Sequence, residues 1–117
     1  MTKIECIIRP NKILEIKNAL GKLGIIKGMT VTEVIGCGLQ KGQTDVSVES
    51  NWNEELNINL LPKTKLELVV TDDLVDKIID TVIKVARTGE IGDGKIFTSP
   101  VGNAIRIRTG EKGDKAI

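Results

Sequence analysis

A lysine and two arginines lie close to a glycine-rich turn in this chain. The turn reads Thr88-Gly89-Glu90-Ile91-Gly92-Asp93-Gly94-Lys95-Ile96-Phe97, and Arg106 and Arg108 follow it. Glycine lets backbone N–H groups approach an anion with no Cβ in the way, and Lys95 adds a point charge suited to a phosphate. Arg106 and Arg108 are two residues apart, so on a strand they project from the same face. Three cations and a glycine turn could converge on one polyphosphate. Surface turns are also rich in Gly and Asp, however, and Arg-x-Arg is often only a solvated strand face. From these residues alone a plain loop stays the simpler reading.

Little else in the sequence could do chemistry. There is no histidine, and the two cysteines, Cys6 and Cys37, have no metal-ligand spacing. That removes zinc sites built on His and catalysis of the Ser-His or Cys-His type. Cys6 sits in an apolar strand pattern and reads as a small core residue, while Cys37, between Gly36 and Gly38, reads as the neighbour of a tight turn. The net charge of +1, from 17 basic and 16 acidic residues, gives no case for nucleic acid or an anionic membrane. No apolar run approaches the ~20 residues of a membrane helix and no leader opens the chain, so a soluble, cytoplasmic protein is expected.

At 117 residues the chain has the length of one domain. Trp52 and Phe97 are its only aromatics, so the core must be aliphatic. Residues 3–9 alternate as a strand, with Ile4, Cys6 and Ile8 on one side. Asn11 is placed to cap a helix over residues 12–23, whose Ile13, Ile16, Leu20 and Leu23 form a stripe ended by Gly24. Residues 29–35 alternate again. Residues 36–61 then lose periodicity, and such stretches inside a compact domain are usually functional or disordered; Val46 with Val48 and Leu56 with Ile58 could form short strands there. Residues 63–71 make a third strand, Thr71-Asp72-Asp73 a cap, and Val75, Ile78, Ile79, Val82 and Ala86 the buried stripe of a second helix. Short strands are expected at 95–99 and 104–108. The order predicts an α+β, ferredoxin-like βαββαβ sandwich with a long loop between strands 2 and 3. The face away from the helices, read as Glu5, Glu33, Lys65 and Glu67 mixed with Ile7, Val31, Ile35 and Val69, is too apolar for water. An oligomer is therefore expected.

With these elements in order, the chain resembles the PII signal-transduction proteins (GlnB/GlnK type) over essentially its whole length. Gly28-Met29-Thr30-Val31-Thr32-Glu33-Val34, followed by Gly36-Cys37-Gly38-Leu39-Gln40-Lys41-Gly42, is similar to the lead into that family's T-loop, and Leu61-Pro62-Lys63 to its exit. Thr88-Gly89 through Phe97 is similar to the B-loop, and Ile105-Arg106-Ile107-Arg108-Thr109-Gly110-Glu111 to the last strand and C-loop. The resemblance implies a single domain over 1–117, with a T-loop at about 37–61, a B-loop at about 87–95 and a C-loop at about 106–117. It implies a homotrimer that binds ATP or ADP in clefts between subunits and senses 2-oxoglutarate with Mg-ATP. Carried over by position, Gly92, Asp93, Gly94 and Lys95 would wrap the phosphates with Arg106 and Arg108, and Ile7, Thr30, Gly36, Gly38, Glu67 and Val69 would line the rest of the cleft. Gln40 would hold Mg²⁺ and contact the nucleotide. Lys63 would pair with a 2-oxoglutarate carboxylate, and the backbone of Gly38, Gln40, Lys41 and Gly42 would hold the rest of that acid.

Departures from the family pattern bear on the specific role. No tyrosine is present, which excludes uridylylation or adenylylation at one. The segment from Gly36 to Lys63 is longer than the common form. Trp52, with Glu54 and Glu55, is the expected partner-binding patch. Ser47 and Ser50 read as ordinary loop serines. Leu39 stands where an arginine to the terminal phosphates is frequent. The leading function is a non-enzymatic regulator of nitrogen metabolism, acting on an ammonium transporter that would recruit it to the membrane. The alternatives are control of nitrogenase or another metabolic enzyme, a nucleotide-only sensor, a weak ATP-hydrolysing enzyme, and a metal-binding trimer of the same fold.

Overall fold

The structure, a computed structural model, describes residues 1–24, 27–38 and 59–117. Among these residues there are four strands and two helices. They are β1 (Thr2–Ile8), α1 (Ile13–Lys22), β2 (Thr30–Gly38), β3 (Asn59–Val70), α2 (Val75–Ala86) and β4 (Lys95–Pro100). The strands form one antiparallel sheet in the order β2-β3-β1-β4. This is the predicted ferredoxin-like sandwich.

Period-two alternation places Ile4, Cys6 and Ile8 of β1 beside Leu66 and Leu68 of β3. These five side chains meet Ile16 and Leu20 of α1 and Ile78 and Val82 of α2, and none of the nine is more than 2% exposed. Burial pushes the Cys6 thiol up to about 11, with the Glu5 carboxylate adding to the shift, so it is an inert core group as expected. Gly24, at φ 66°, takes the left-handed conformation just after α1.

Several expectations need correction. Asn11 does not cap α1: it lies within a 3₁₀ turn, Pro10–Lys12, and no side chain caps either element. Pro10 supplies the first position of that turn, where its missing N–H costs nothing. Thr71 likewise precedes a 3₁₀ turn, Asp72–Leu74, without a side-chain cap bond. Asp72 instead pairs with the Met1 ammonium at 3.2 Å and accepts from the Thr2 hydroxyl at 2.7 Å.

The sheet also runs further than its periodicity suggests. Gly36, Cys37 and Gly38 are the last rungs of β2, opposite Leu61, Leu60 and Asn59, so Cys37 is a strand residue and not a turn neighbour. No strand forms at 104–108. Ile105 makes an isolated bridge to Lys112, and the Arg106 N–H donates to the Glu111 carbonyl at 2.9 Å, which turns the chain back on itself. The expected short strands at Val46, Val48, Leu56 and Ile58 lie outside the described residues.

Register corrects the composition of the open face. Val31, Glu33 and Ile35 sit opposite Leu66, Thr64 and Pro62, which puts them on the helix side. Val31 and Ile35 are nonetheless 46% and 56% exposed. The open face carries Lys3, Glu5, Ile7, Lys65, Glu67 and Val69, knitted by Lys3–Glu67 at 3.1 Å and by Lys3–Glu5 and Lys65–Glu5 at 3.9 Å.

Candidate functional site

The glycine-rich turn leaves α2 at Arg87 and re-enters the sheet at Lys95, and its shape is set by its own side chains. Asp93 accepts from the Thr88 hydroxyl, from the Thr88 N–H at 2.9 Å and from the Gly89 N–H at 2.9 Å. These bonds, led by the Thr88 hydroxyl, hold the Asp93 carboxyl down at about 2. Gly92 and Gly94 have φ of 106° and 101°. A Cβ on Gly94 would lie 1.7 Å from the Ile7 carbonyl oxygen, so both the backbone angle and the close pass over β1 demand glycine. Gly92, Asp93 and Gly94 donate no backbone hydrogen bond among the described residues. Such a run of amides is suited to an anion.

Two cations brace this turn, Arg9 from just past the end of β1 and Lys63 from β3. Arg9 donates from Nη2 to the Ile91 carbonyl at 3.0 Å and pairs through Nε with Asp93 at 3.5 Å. Lys63 donates from Nζ to the Gly92 carbonyl at 2.8 Å. Burial lowers the Lys63 pKa, as does the neighbouring Arg9 charge, while Asp93 opposes them. Arg9 was not among the residues expected from sequence; before Pro10 it reads as the polar end of a strand, and only the fold shows what it faces.

Beside the turn lies a cavity of about 470 Å³, lined by Ile7, Gly36, Cys37, Gly38, Lys63, Gly92, Gly94 and Lys95 among others. A Cβ on Gly36 would press on Cγ of Lys63 at 2.9 Å. Seven residues expected at a ligand site are therefore brought together here: Ile7, Gly36, Gly38, Lys63, Gly92, Gly94 and Lys95. Asp93 is adjacent, but its carboxylate is spent inside the turn.

Thr30, Glu67, Val69 and Arg106 are not there. They line a second cavity, of about 440 Å³, with Lys27, Gly28, Met29 and the C-terminal Asp114, Ala116 and Ile117. Arg106 also pairs with Glu111 at 3.2 Å. Arg108 is exposed on the turn that follows Arg106. Along β3 the two cavities are marked by Lys63 and Val69, roughly 20 Å apart at about 3.3 Å per residue. Lys95 and Arg106 therefore do not converge within one chain. Gln40, Lys41, Gly42, Trp52, Glu54 and Glu55 lie outside the described residues. Among the described residues no group of three or more His, Cys, Asp or Glu is placed to hold a metal ion, and no helix is long and apolar enough to cross a membrane.

Comparison with known sequences gives the class of this two-layer α+β sandwich with its braced glycine turn. Residues 1–111 match the family described as Nitrogen regulatory protein P-II, and the chain belongs to that family. It is 52% identical to the nitrogen regulatory protein P-II of Klebsiella oxytoca and 55% identical to that of Nostoc punctiforme, in both cases over the full length of both chains. Nitrogen regulatory protein P-II 2 of Methanothermobacter thermautotrophicus is 54% identical, with 97% of that protein covered. Among solved structures, a complex of Bacillus subtilis GlnK with ATP superposes with a TM-score of 0.79 at 37% identity, covering 99% of this chain and 96% of that one. Arabidopsis thaliana PII bound to citrate superposes with a TM-score of 0.77 at 43% identity, covering 99% and 91%.

Proposed function

We propose that this chain is a nucleotide-gated regulator of nitrogen metabolism that works as a homotrimer, with ATP or ADP held in clefts between subunits. One observation carries this reading. The expected site residues fall into two sets lining separate cavities, Lys95 with Gly36, Gly38, Gly92 and Gly94 in one and Arg106 with Thr30, Glu67 and Val69 in the other. Each set is half a site. Between neighbouring subunits, the first half of one and the second half of the next make a whole. The amides of Gly92, Asp93 and Gly94, unpaired among the described residues, and Lys95 suit phosphate oxygens, with Arg106 and Arg108 arriving from the other subunit. The solved complex of Bacillus subtilis GlnK with ATP supports a nucleotide as the ligand.

2-Oxoglutarate is the second ligand in this reading. Lys63 would pair with one of its carboxylates, and the backbone of residues 38–42 would hold the remainder. The citrate carried by Arabidopsis thaliana PII supports a polycarboxylate in this family. Mg²⁺ would be held by the Gln40 side-chain oxygen with phosphate and keto-acid oxygens, a set of hard oxygen ligands suited to that ion. The T-loop, about 37–61, would then engage a cytoplasmic target through Trp52, Glu54 and Glu55. An ammonium transporter at the membrane comes first and a nitrogen-metabolism enzyme such as nitrogenase second. No turnover of the nucleotide is required for this role.

Calorimetry tests the reading. ATP and ADP should both bind and stabilise the protein by about 2.7 kcal/mol per site at ~100-fold excess over Kd. Lys95→Ala, Arg106→Ala and Arg108→Ala should each remove much of that effect. 2-Oxoglutarate should bind with Mg-ATP and not with ADP, which lacks the γ-phosphate. Binding of nucleotide without the acid in either state would establish the second reading, a nucleotide-only sensor, which Leu39 favours because it places no charge at the terminal phosphates. Binding of neither nucleotide would overturn both.

A further inference from the structure

We infer that Arg9 is a positioning residue for the glycine-rich turn, aiming its backbone amides at a bound phosphate without touching the phosphate itself. The inference rests on the nucleotide reading above. Arg9 follows directly on β1, just before the Pro10–Lys12 turn, and its side chain is 17% exposed. Its Nη2 holds the Ile91 carbonyl at 3.0 Å and its Nε faces the Asp93 carboxylate at 3.5 Å, so one guanidinium grips both sides of Gly92. Among the described residues Nε has no partner within hydrogen-bond geometry, and what it faces is the Asp93 carboxylate of the ion pair. Lys63 takes the carbonyl in between, that of Gly92, at 2.8 Å.

In a trans peptide the C=O of one residue and the N–H of the next point in opposite directions. Pinning the Ile91 carbonyl toward Arg9 therefore turns the Gly92 N–H away from it, and pinning the Gly92 carbonyl toward Lys63 does the same for the Asp93 N–H. Those are amides that donate to no carbonyl among the described residues. Without the grip, Gly92 and Gly94, which are at left-handed φ where glycine moves freely, let the peptide planes rotate, and a ligand must pay to order them. A guanidinium presents its donors on separate nitrogens of a rigid plane and can meet two acceptors set apart, whereas an ammonium's three donors all leave from one nitrogen.

The test compares the full-length protein with Arg9→Met and Arg9→Lys. ADP affinity is read by calorimetry, adenosine affinity by NMR titration, and hydrogen exchange at the Thr88 and Gly89 amides with no ligand present. Arg9→Met should lose ADP affinity on the order of tenfold, the scale of one charge-assisted hydrogen bond, and both variants should leave adenosine unchanged. Exchange at Thr88 and Gly89 should quicken, because their acceptor Asp93 loses its anchor. Arg9→Lys should recover only part of the ADP loss; full recovery by lysine with unchanged exchange would show simple charge attraction and overturn the inference. Equal weakening of adenosine and ADP, or parent-like ADP binding, would do the same. A parent protein that binds no ADP would sink the nucleotide reading, and the exchange rates would still decide whether Arg9 braces the turn.

Discussion

At the scale of single residues, Asp93 shows how far a carboxylate can be committed to shape. In the sequence, Asp between two glycines beside a lysine invites a ligand role, but its oxygens are taken by Thr88, Gly89 and Arg9. Its contribution to a site is the fold of the turn. The folded pKa, about 2, lies below the ordinary value near 3.9. A depressed carboxylate stabilises the folded turn above the unfolded value, and that stabilisation fades as pH falls from roughly 4 toward 2. The turn should therefore be fully braced at neutral pH. The Thr88 and Gly89 amide resonances should titrate together with a midpoint near 2, and a midpoint near 4 would mean that the Asp93 bonds do not persist in solution.

At the scale of elements, the two helices and the inner halves of the strands could be read from the sequence because one physical rule dominates them. Ile16 and Leu20, Ile78 and Val82, and Leu66 and Leu68 recur at helical or strand period and are all buried. What stayed hidden is governed by partners distant in sequence. Gly36, Cys37 and Gly38 have weak strand propensity, yet they are rungs because Asn59–Leu61 lies alongside. Arg106-x-Arg108 looks like a strand, but the Glu111 carbonyl and side chain draw Arg106 into a turn. The loop residues that match the family were legible by type, whereas Arg9 was not, since its role depends on contacts more than eighty residues away at Ile91. The core itself gives a direct check. Ile78→Ala, at a position with 0% exposure where both helices and the sheet meet, should cost about 2–5 kcal/mol in denaturant unfolding with little effect on the turn. A cost below about 1 kcal/mol would mean that α2 is not packed as described.

At the scale of the whole molecule, the separation of Lys95 from Arg106 makes a demand on assembly that neither residue makes alone. If each cleft joins two chains, Lys95→Ala and Arg106→Ala damage opposite halves of it. Each variant by itself should lose most of its nucleotide binding. Trimers made by co-refolding the two should regain it in part, because one junction in every mixed trimer unites an intact half from each parent. Titration of the mixed sample with ADP should show a high-affinity fraction missing from both pure variants. No recovery in verified mixed trimers would place the whole site within one chain.

The paired ends of β2 and β3 have a consequence for how such a protein diversifies. Gly38 faces Asn59 across the last rung of the ladder, so the body has already met the cost of bringing the two ends of the intervening segment together. Any sequence inserted there inherits a closed boundary, and each doubling of its length adds only about 0.6 kcal/mol. If that segment meets the target, as proposed, it is a replaceable address on a fixed receiver. On that reading, lineages could rewrite whom the protein engages while the core, the braced turn and the two cavities stay as they are.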